Sequence, residues 1–492
     1  MAIDRSVSWV TAPKENSLLK AGFVSDFAVH LLRRLDVPLD DSPYFALAGE
    51  LHPHFEWARS GAMALSGLPE GPPLLAPAPL ASASQGALLA LRMLAGKAWS
   101  GGDLDAARLL GERAAVFGFT RRGSVSPGGS CRLIRAADGW LAVNLARESD
   151  REMVSAWLEA EMGGDLWSQL ETQIASQNVD RALSRARLMG LPVAPVSHSD
   201  LDELESRSWL EVTRGMKKKK QRSNAAPVVL DLSSLWAGPL CAHLLALTGA
   251  RVIKLESLER PDGARAGPSR FFDLLNGGKQ SIALEFGSAR GRAILERLLE
   301  RVDIVIESAR PRALAQLGIV AEEWVARRAN LTWVSITGYG RNEPEGGWVA
   351  FGDDAAAAAG LSTATAQYNQ EYHDGSLPPV FCGDAIADPL AGLHAAVAAL
   401  ASWQSDESRL LDVSLCSVVR HVLGSAGSGW DISPAGEGES ALIERVDANQ
   451  WQVRIGDEVQ SVDPPLARSV AYPAKALGAD TRSVLASLGV EA

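Results

Sequence analysis

The chain has 492 residues, 47% hydrophobic and 22% charged, with a formal net charge of −11. This composition suits a globular protein of about three domains with a large core, and with no dominant basic face it argues against nucleic acid as a partner. The cysteines, Cys131, Cys241, Cys382 and Cys416, form no CxxC pair, so no metal site or disulfide framework is expected and reduced thiols in the cytoplasm are the simple reading.

In chain order, the N-terminal MAIDRSVSWVTAPKEN has no apolar core of signal-peptide length. No stretch reaches about 18 apolar residues without a charge or turn signal, so no membrane partner is expected. A Gly- and Pro-rich loop after Leu51 leads into a helix, GALLALRMLAG, and residues 103–120 read as helix. SPGGS (126–130) then interrupts; CRLIRAADGWLAVNLA predicts two strands around an Asp138-Gly139 turn. Apolar positions at Met153, Trp157, Leu166 and Leu170 predict helix over 150–187, and GLPVAPV (190–196) a short strand. The segment around Lys217–Lys220 reads as a solvated linker, with a phosphate-binding patch as the alternative.

After Pro227 the pattern changes. VVLDL (228–232), WAGPLCAHLLALTG (236–249) and RVIKLES (251–257) form a strand–helix–strand unit. A helix over 288–301 leads into VDIVIES (302–308), and 321–330 leads into LTWVSITG (331–338). Such alternation predicts an α/β, Rossmann-like doubly wound parallel sheet. The GxGxxG fingerprint is replaced by Ala237-Gly238-Pro239, so no dinucleotide cofactor is supported. There is also an internal repeat. Pro72-Pro73 precedes Gly86 by the same offset as Pro378-Pro379 precedes Gly392, and GALLALRMLAGKAW compares with GLHAAVAALASW. Four residues before these glycines stand Ser82 and Asp388.

Residues 227–420 resemble the class III (CaiB/BaiF-type) CoA transferases. The motifs that carry the resemblance are VLDLSSLWAGP (229–239), GARVIKLE (249–256), NGGKQSIALE (276–285), VDIVIESARPRALAQLGI (302–319), SITGYG (335–340) and ADPLAGLHAAVAAL (387–400), in family order. CRLIRAADGWLAV and GLPVAPV resemble the family's small domain but stand ahead of these motifs, and LGADTRSVLASLGV (477–490) resembles its closing segment. The chain therefore divides into a partial, degenerate CoA-transferase-like repeat (1–110), a smaller α+β domain (111–213), a linker (214–226), a Rossmann-like domain (227–424) and a C-terminal return segment (425–492).

The resemblance implies an acyl-CoA:carboxylate CoA transferase working through an aspartyl acyl-anhydride and an aspartyl-CoA thioester, with Asp388 as nucleophile. Helix capping is the plainer role for Asp388. Asp384 lies at the wrong offset from Gly392. By the same resemblance Trp236, Ala237, Arg265, Asn276, Lys279, Gly338 and Tyr339 contact CoA, although Lys279 and Arg265 also suit a solvated role and Trp236 a core one. No cofactor is permanently bound; a CoA thioester is the substrate and a carboxylic acid its partner. Ser308-Ala309-Arg310-Pro311 departs from the family's Asn-Phe-Arg-Pro, and SPGGS suits either a mobile glycine loop or a plain hairpin connection. Two other functions stay open: an α-methylacyl-CoA racemase, for which FGDDAAAAAG lacks a histidine and only His54 stands in reserve, and a non-catalytic CoA-binding protein. Assembly is expected as a homodimer or as an intrachain pseudo-dimer.

Overall fold

The computed structural model describes residues 22–39, 50–161, 163–197, 208–217, 226–372, 376–425 and 441–490. Its strands, in chain order, are β1 (Cys131–Arg135), β2 (Trp140–Asn144), β3 (Val193–Pro195), β4 (Leu210–Lys217), β5 (Val228–Asp231), β6 (Arg251–Ser257), β7 (Gln280–Leu284), β8 (Ile304–Glu307), β9 (Thr332–Thr337), β10 (Glu407–Ser414), β11 (Leu442–Arg445), β12 (Trp451–Ile455) and β13 (Glu458–Ser461).

The central sheet has seven strands in the order β4-β10-β9-β8-β5-β6-β7. From β7 to β10 all neighbours are parallel, and the order is that of a doubly wound nucleotide-binding sheet. These strands are buried on both faces, as their continuous apolar runs require. One face packs on the helices Ala237–Leu247 and Ala387–Gln404. The other packs on Ala289–Leu299, Ala321–Arg327 and the late helix Thr481–Ser487. The last of these caps β7, where Asp480 and Thr481 accept hydrogen bonds from Ser281 N and Ala283 N at 2.9 and 3.1 Å.

β4 corrects the expected linker. Residues 214–217, assigned to it, continue a strand that pairs antiparallel with β10. Its side chains are mostly exposed and include Glu211 and Arg214, so it has the polar character of an edge strand rather than an apolar signature. Residues 218–225, with the rest of the lysine run, lie outside the described residues. The helical expectation over 150–187 is met by four helices, Glu148–Glu152, Val154–Leu158, Leu166–Ala175 and Val179–Leu188, broken where Glu159 and Gly164 turn to positive φ (52° and 78°) and where Asn178 starts the last helix. These helices cover the small sheet β1-β2-β3.

The two similar helices make the same kind of close crossing. The helix Leu80–Ala95 carries Gly86, where an added Cβ would lie 2.9 Å from Val24 O of the crossing helix Phe23–Arg34. The helix Ala387–Gln404 carries Gly392, where an added Cβ would lie 2.7 Å from Ala237 O of the helix Ala237–Leu247. In each pair a glycine four residues after Ser82 or Asp388 lets the backbones approach. The two repeat helices also pack on each other, which buries their many-sided apolar surfaces. Among the described residues no helix is long and apolar enough to cross a membrane.

Candidate functional site

A cleft of about 290 Å³ opens at the carboxyl ends of the parallel strands. Its walls are the turns after β5 (Ser234, Leu235), after β8 (Ser308–Pro311) and after β9 (Gly338, Gly340), closed by Trp348–Phe351. β5 and β8 are adjacent strands from which the chain winds in opposite directions. Their turns therefore diverge and leave a crevice, the usual ligand site of such sheets.

Asp388 sits in this cleft, in the first turn of the helix Ala387–Gln404. The Ala237 backbone N–H bonds to its carboxylate, so the starts of two helices converge on it. Burial pushes Asp388 up to about 7, the Arg113 guanidinium pulls it down, and Asp353 and Asp384 push it up further. Gly352 makes the closest approach: a Cβ there would lie 2.2 Å from Asp388 Oδ2. Any side chain at 352 would displace the acid.

Behind Asp388 lies a cluster of carboxylates around one cation. Arg113 Nε and Nη2 donate to Asp384 Oδ2 and Oδ1 at 2.8 and 2.6 Å. Asp353 Oδ1 accepts from Ala385 N at 2.8 Å and hydrogen-bonds Ser126, while burial and Asp384 push its pKa to about 6. Ala385 is held at φ +43°, a conformation rare for a residue with a Cβ, just before the Asp388 turn. Asp354 is bonded by Asn144 Nδ2 at 2.9 Å and is driven well above the carboxylate range, chiefly by burial. Arg113, Ser126 and Asn144 come from the first half of the chain, so both halves contribute to the cluster behind Asp388.

The residues singled out in the sequence fall into three groups. Asp388, Ala237 and Gly338 line the cleft. Trp236 and Tyr339 sit just behind its wall. The Trp236 indole lies between the Arg113 guanidinium (5.4 Å) and Phe271 (5.5 Å), and Tyr339 packs edge-on against Trp348. Arg265, Asn276 and Lys279 are internal braces. Lys279 Nζ donates to Asp231 Oδ2 (2.8 Å), Pro239 O (2.9 Å) and Asn276 Oδ1 (3.0 Å), and burial lowers it to about 8. Arg265 is held by Glu256 through Nε and Nη2 and stacks 4.2 Å from the Phe272 ring. His54 bonds Tyr368 Oη at 3.0 Å and is not among the cleft residues, and His394 is buried against Leu390 O. SPGGS is a tight turn whose Gly128 would place a Cβ 3.2 Å from Arg113 Nη2. Neither Arg113 nor Asn144 gave a sequence signal, because each lies more than 200 residues from its partner. The Asp353-Asp354 pair was visible, but only as a segment lacking a histidine.

Residues 225–438 match the model of CoA-transferase family III. Among curated proteins, the succinyl-CoA–D-citramalate CoA-transferase of Chloroflexus aurantiacus is 30% identical over 198 residues, 38% of this chain and 48% of that protein. The succinate–glutarate CoA-transferase of Agrobacterium fabrum is 29% identical over 222 residues, 42% of this chain and 54% of that protein. A crystal structure of a CaiB/BaiF family protein from Brucella suis aligns with a TM-score of 0.37 at 23% identity, over 49% of this chain and 65% of that one. The chain spans about half the length of the curated relatives it matches.

Proposed function

We propose that this chain, whose residues 225–438 match CoA-transferase family III, moves coenzyme A between carboxylic acids with Asp388 as the covalent nucleophile. The observation that carries this reading is the placing of the Asp388 carboxylate in the switch-point cleft, with Gly352 bare beside it. With glycine at 352, no side chain from that position stands against the Asp388 carboxylate.

The chemistry follows from a carboxylate in that position. Ionised Asp388 attacks the thioester carbonyl; the C–S bond breaks, the thiolate leaves, and an aspartyl acyl-anhydride remains. The thiolate then attacks the Asp388 carbonyl and releases the first acid as its carboxylate, leaving an aspartyl-CoA thioester. The acceptor carboxylate attacks that thioester and the two steps run in reverse. No net proton is consumed. Converging helix starts at Ala237 and Ala387 favour the negative charge that builds up on the attacked oxygen. The relatives are named for succinate, glutarate and citramalate, which favours dicarboxylic acids as partners.

The test is a transfer assay with labelled succinyl-CoA and a panel of acids, with hydroxylamine added during turnover. Acid-dependent transfer and an Asp388 hydroxamate found by mass spectrometry support the reading. Exchange of the α-proton without transfer, or binding without turnover, would defeat it in favour of a racemase or a binding protein.

A further inference from the structure

A second cavity, of about 790 Å³, lies at the far end of the helix Ala237–Leu247 and shares no lining residue with the cleft. Ala237 meets Asp388 at one end of this helix, while Ala246 and Leu247 line the cavity at the other, about 15 Å along the axis. Three parts of the chain enclose it: residues 100–108, the last turns of the helices Ala237–Leu247 and Ser269–Asn276, and residues 466–472 of the return segment. The return segment is pinned at three points. Asp463 N donates to Ala58 O at 2.9 Å and Ala474 N to Asp273 Oδ1 at 2.8 Å. Between them Arg468 grips Glu112 at 2.6 Å and donates from Nη1 to His243 Nε2 at 3.0 Å.

The polar lining is short of acceptors. An arginine can only donate, so His243 Nε2 accepts and Nδ1 carries the ring proton. Burial first, then Arg468 and Lys279, keeps the ring neutral. Among the described residues nothing accepts from Nδ1. Arg108 is loosely held: Nε lies 3.5 Å from Asp105 Oδ2 and Nη2 3.5 Å from Asp463 Oδ2, and Nε makes no hydrogen bond. The acids of the lining are better supplied. Asp105 accepts from Gln85 Nε2 at 2.7 Å, from Ala107 N at 3.1 Å and from Arg59, and Asp273 accepts from Ala474 N. Asp103 is exposed. Three carboxylates turn away a polyanion such as CoA and leave room for at most one negative charge. Leu104, Leu247, Leu274, Leu466 and Val470 supply apolar wall.

We propose that this cavity binds a small molecule with an apolar body and one carbonyl or carboxylate oxygen, a medium-chain acid or its amide, with His243 Nδ1–H as donor and Arg108 as the cation. A cavity of this size with unmet donors in an apolar wall matches that chemistry. The site stands apart from Asp388, so it goes beyond the transferase reading and does not depend on it.

The probes are octanoate, octanamide and octylammonium. Their binding is measured by calorimetry on the full-length wild type, on Asp388→Asn and on Ala246→Phe, whose ring would fill the cavity. One-to-one binding of octanoate or octanamide, weakened about tenfold or more by Ala246→Phe and kept within about twofold by Asp388→Asn, supports the site. Octanoate alone assigns a carboxylate, and Arg108→Met should then weaken it about tenfold as well. Octanamide, with or without octanoate, assigns a carbonyl oxygen. Preference for octylammonium would mean that the acids govern the cavity and overturns the proposal. Loss of binding in Asp388→Asn places the ligand in the cleft and overturns it too, as does binding unchanged in Ala246→Phe or no saturable binding below about 1 mM. A second measurement needs no variant: photo-crosslinking with a diazirine-bearing octanoate, followed by peptide mass spectrometry. Label within 100–108, 243–247 or 466–472 supports the site, and label found only elsewhere overturns it.

Discussion

Arg113 and Asp384 stand 271 residues apart in the chain and meet through two parallel hydrogen bonds of 2.8 and 2.6 Å. Asp384 is fully buried, and the pair lies behind Asp388, whose pKa the guanidinium holds down. The contact ties the first half of the chain to the second at the site. It also supplies the positive charge that lets several neighbouring acids share one pocket.

Removal of the cation should therefore be severe. Arg113→Met leaves Asp384 buried without a counter-ion, which costs about 3–5 kcal/mol. The double variant Arg113→Met/Asp384→Leu should recover most of that stability in denaturant melts. It should not recover the wild-type pH profile, because the stronger of the two influences on Asp388 is the lost cation. A double variant with an unchanged profile would mean that Arg113 acts only as a structural tie.

The pH dependence has a definite sign. A nucleophilic carboxylate must be ionised, and Asp388 is pushed up to about 7. The rate kcat/KM for the acyl-CoA should rise about tenfold per pH unit below 7 and level off above it. Asp353, at about 6, is coupled to the same charges and should broaden the lower limb. A profile flat from pH 5 to about 8 would contradict an ionising Asp388 as the attacking group.

The same shift has a consequence for stability. The unfolded carboxyl ionises near its ordinary value of 3.8, the folded one near 7. Between these values the unfolded chain binds fewer protons, so stability falls as pH rises through the window and stays reduced above it. Asp388→Asn removes that penalty. It should abolish transfer and raise the unfolding free energy at pH 8 by an amount on the order of 2–4 kcal/mol, read from denaturant melts. At pH 4 the gain should nearly vanish. An inactive variant with no stabilisation at either pH would show that the acid is not strained in the fold.

Ser82 stands four residues before Gly86, as Asp388 stands four before Gly392. Its hydroxyl is buried and has no hydrogen-bond partner among the described residues. Ser82→Ala should leave turnover unchanged and stabilise the protein slightly, by roughly 1 kcal/mol, since it removes an unsatisfied polar group. A tenfold fall in rate would mean that the first repeat takes part in the chemistry.

The parallel sheet was legible because its strands are continuous apolar runs separated by helices, as in VVLDL and LTWVSITG. Asp388, singled out by its spacing from Gly392 within a run of family motifs, lines the cleft. β4 was not, because an exposed edge strand has no apolar period to read. The roles of Lys279 and Arg265 were not fixed by sequence either: a lysine looks the same whether it faces a phosphate or Asp231, and only the buried Asp231 and Glu256 beside them distinguish the two. Arg113 escaped because its partner is set by tertiary folding alone. The two close helix crossings, in contrast, could be read from the glycines at equal offsets, since backbone approach demands glycine there.

The two halves should remain one body when the chain between β4 and β5 is cut. Residues 218–225 join them, and the contacts across the join are many and of different kinds. β4 pairs with β10 along the sheet edge. Leu75 and Asn369 exchange two hydrogen bonds, 3.0 Å from Leu75 N and 2.9 Å to Leu75 O. Gly383 N donates to Ser66 Oγ at 2.9 Å, and Arg468 from the return segment grips the buried Glu112 at 2.6 Å. The helices Leu80–Ala95 and Ala387–Gln404 share one apolar core. Separation would expose that core and leave Asp384 and Glu112 buried or newly solvated without their arginines. A protease site inserted within 218–225 and cleaved to completion should therefore give two pieces that co-elute on a sizing column and keep transfer activity. They should part only in denaturant, in the same transition that unfolds the uncut protein. Separation in plain buffer would mean that the halves are independent domains and that Arg113 does not hold the Asp388 site together.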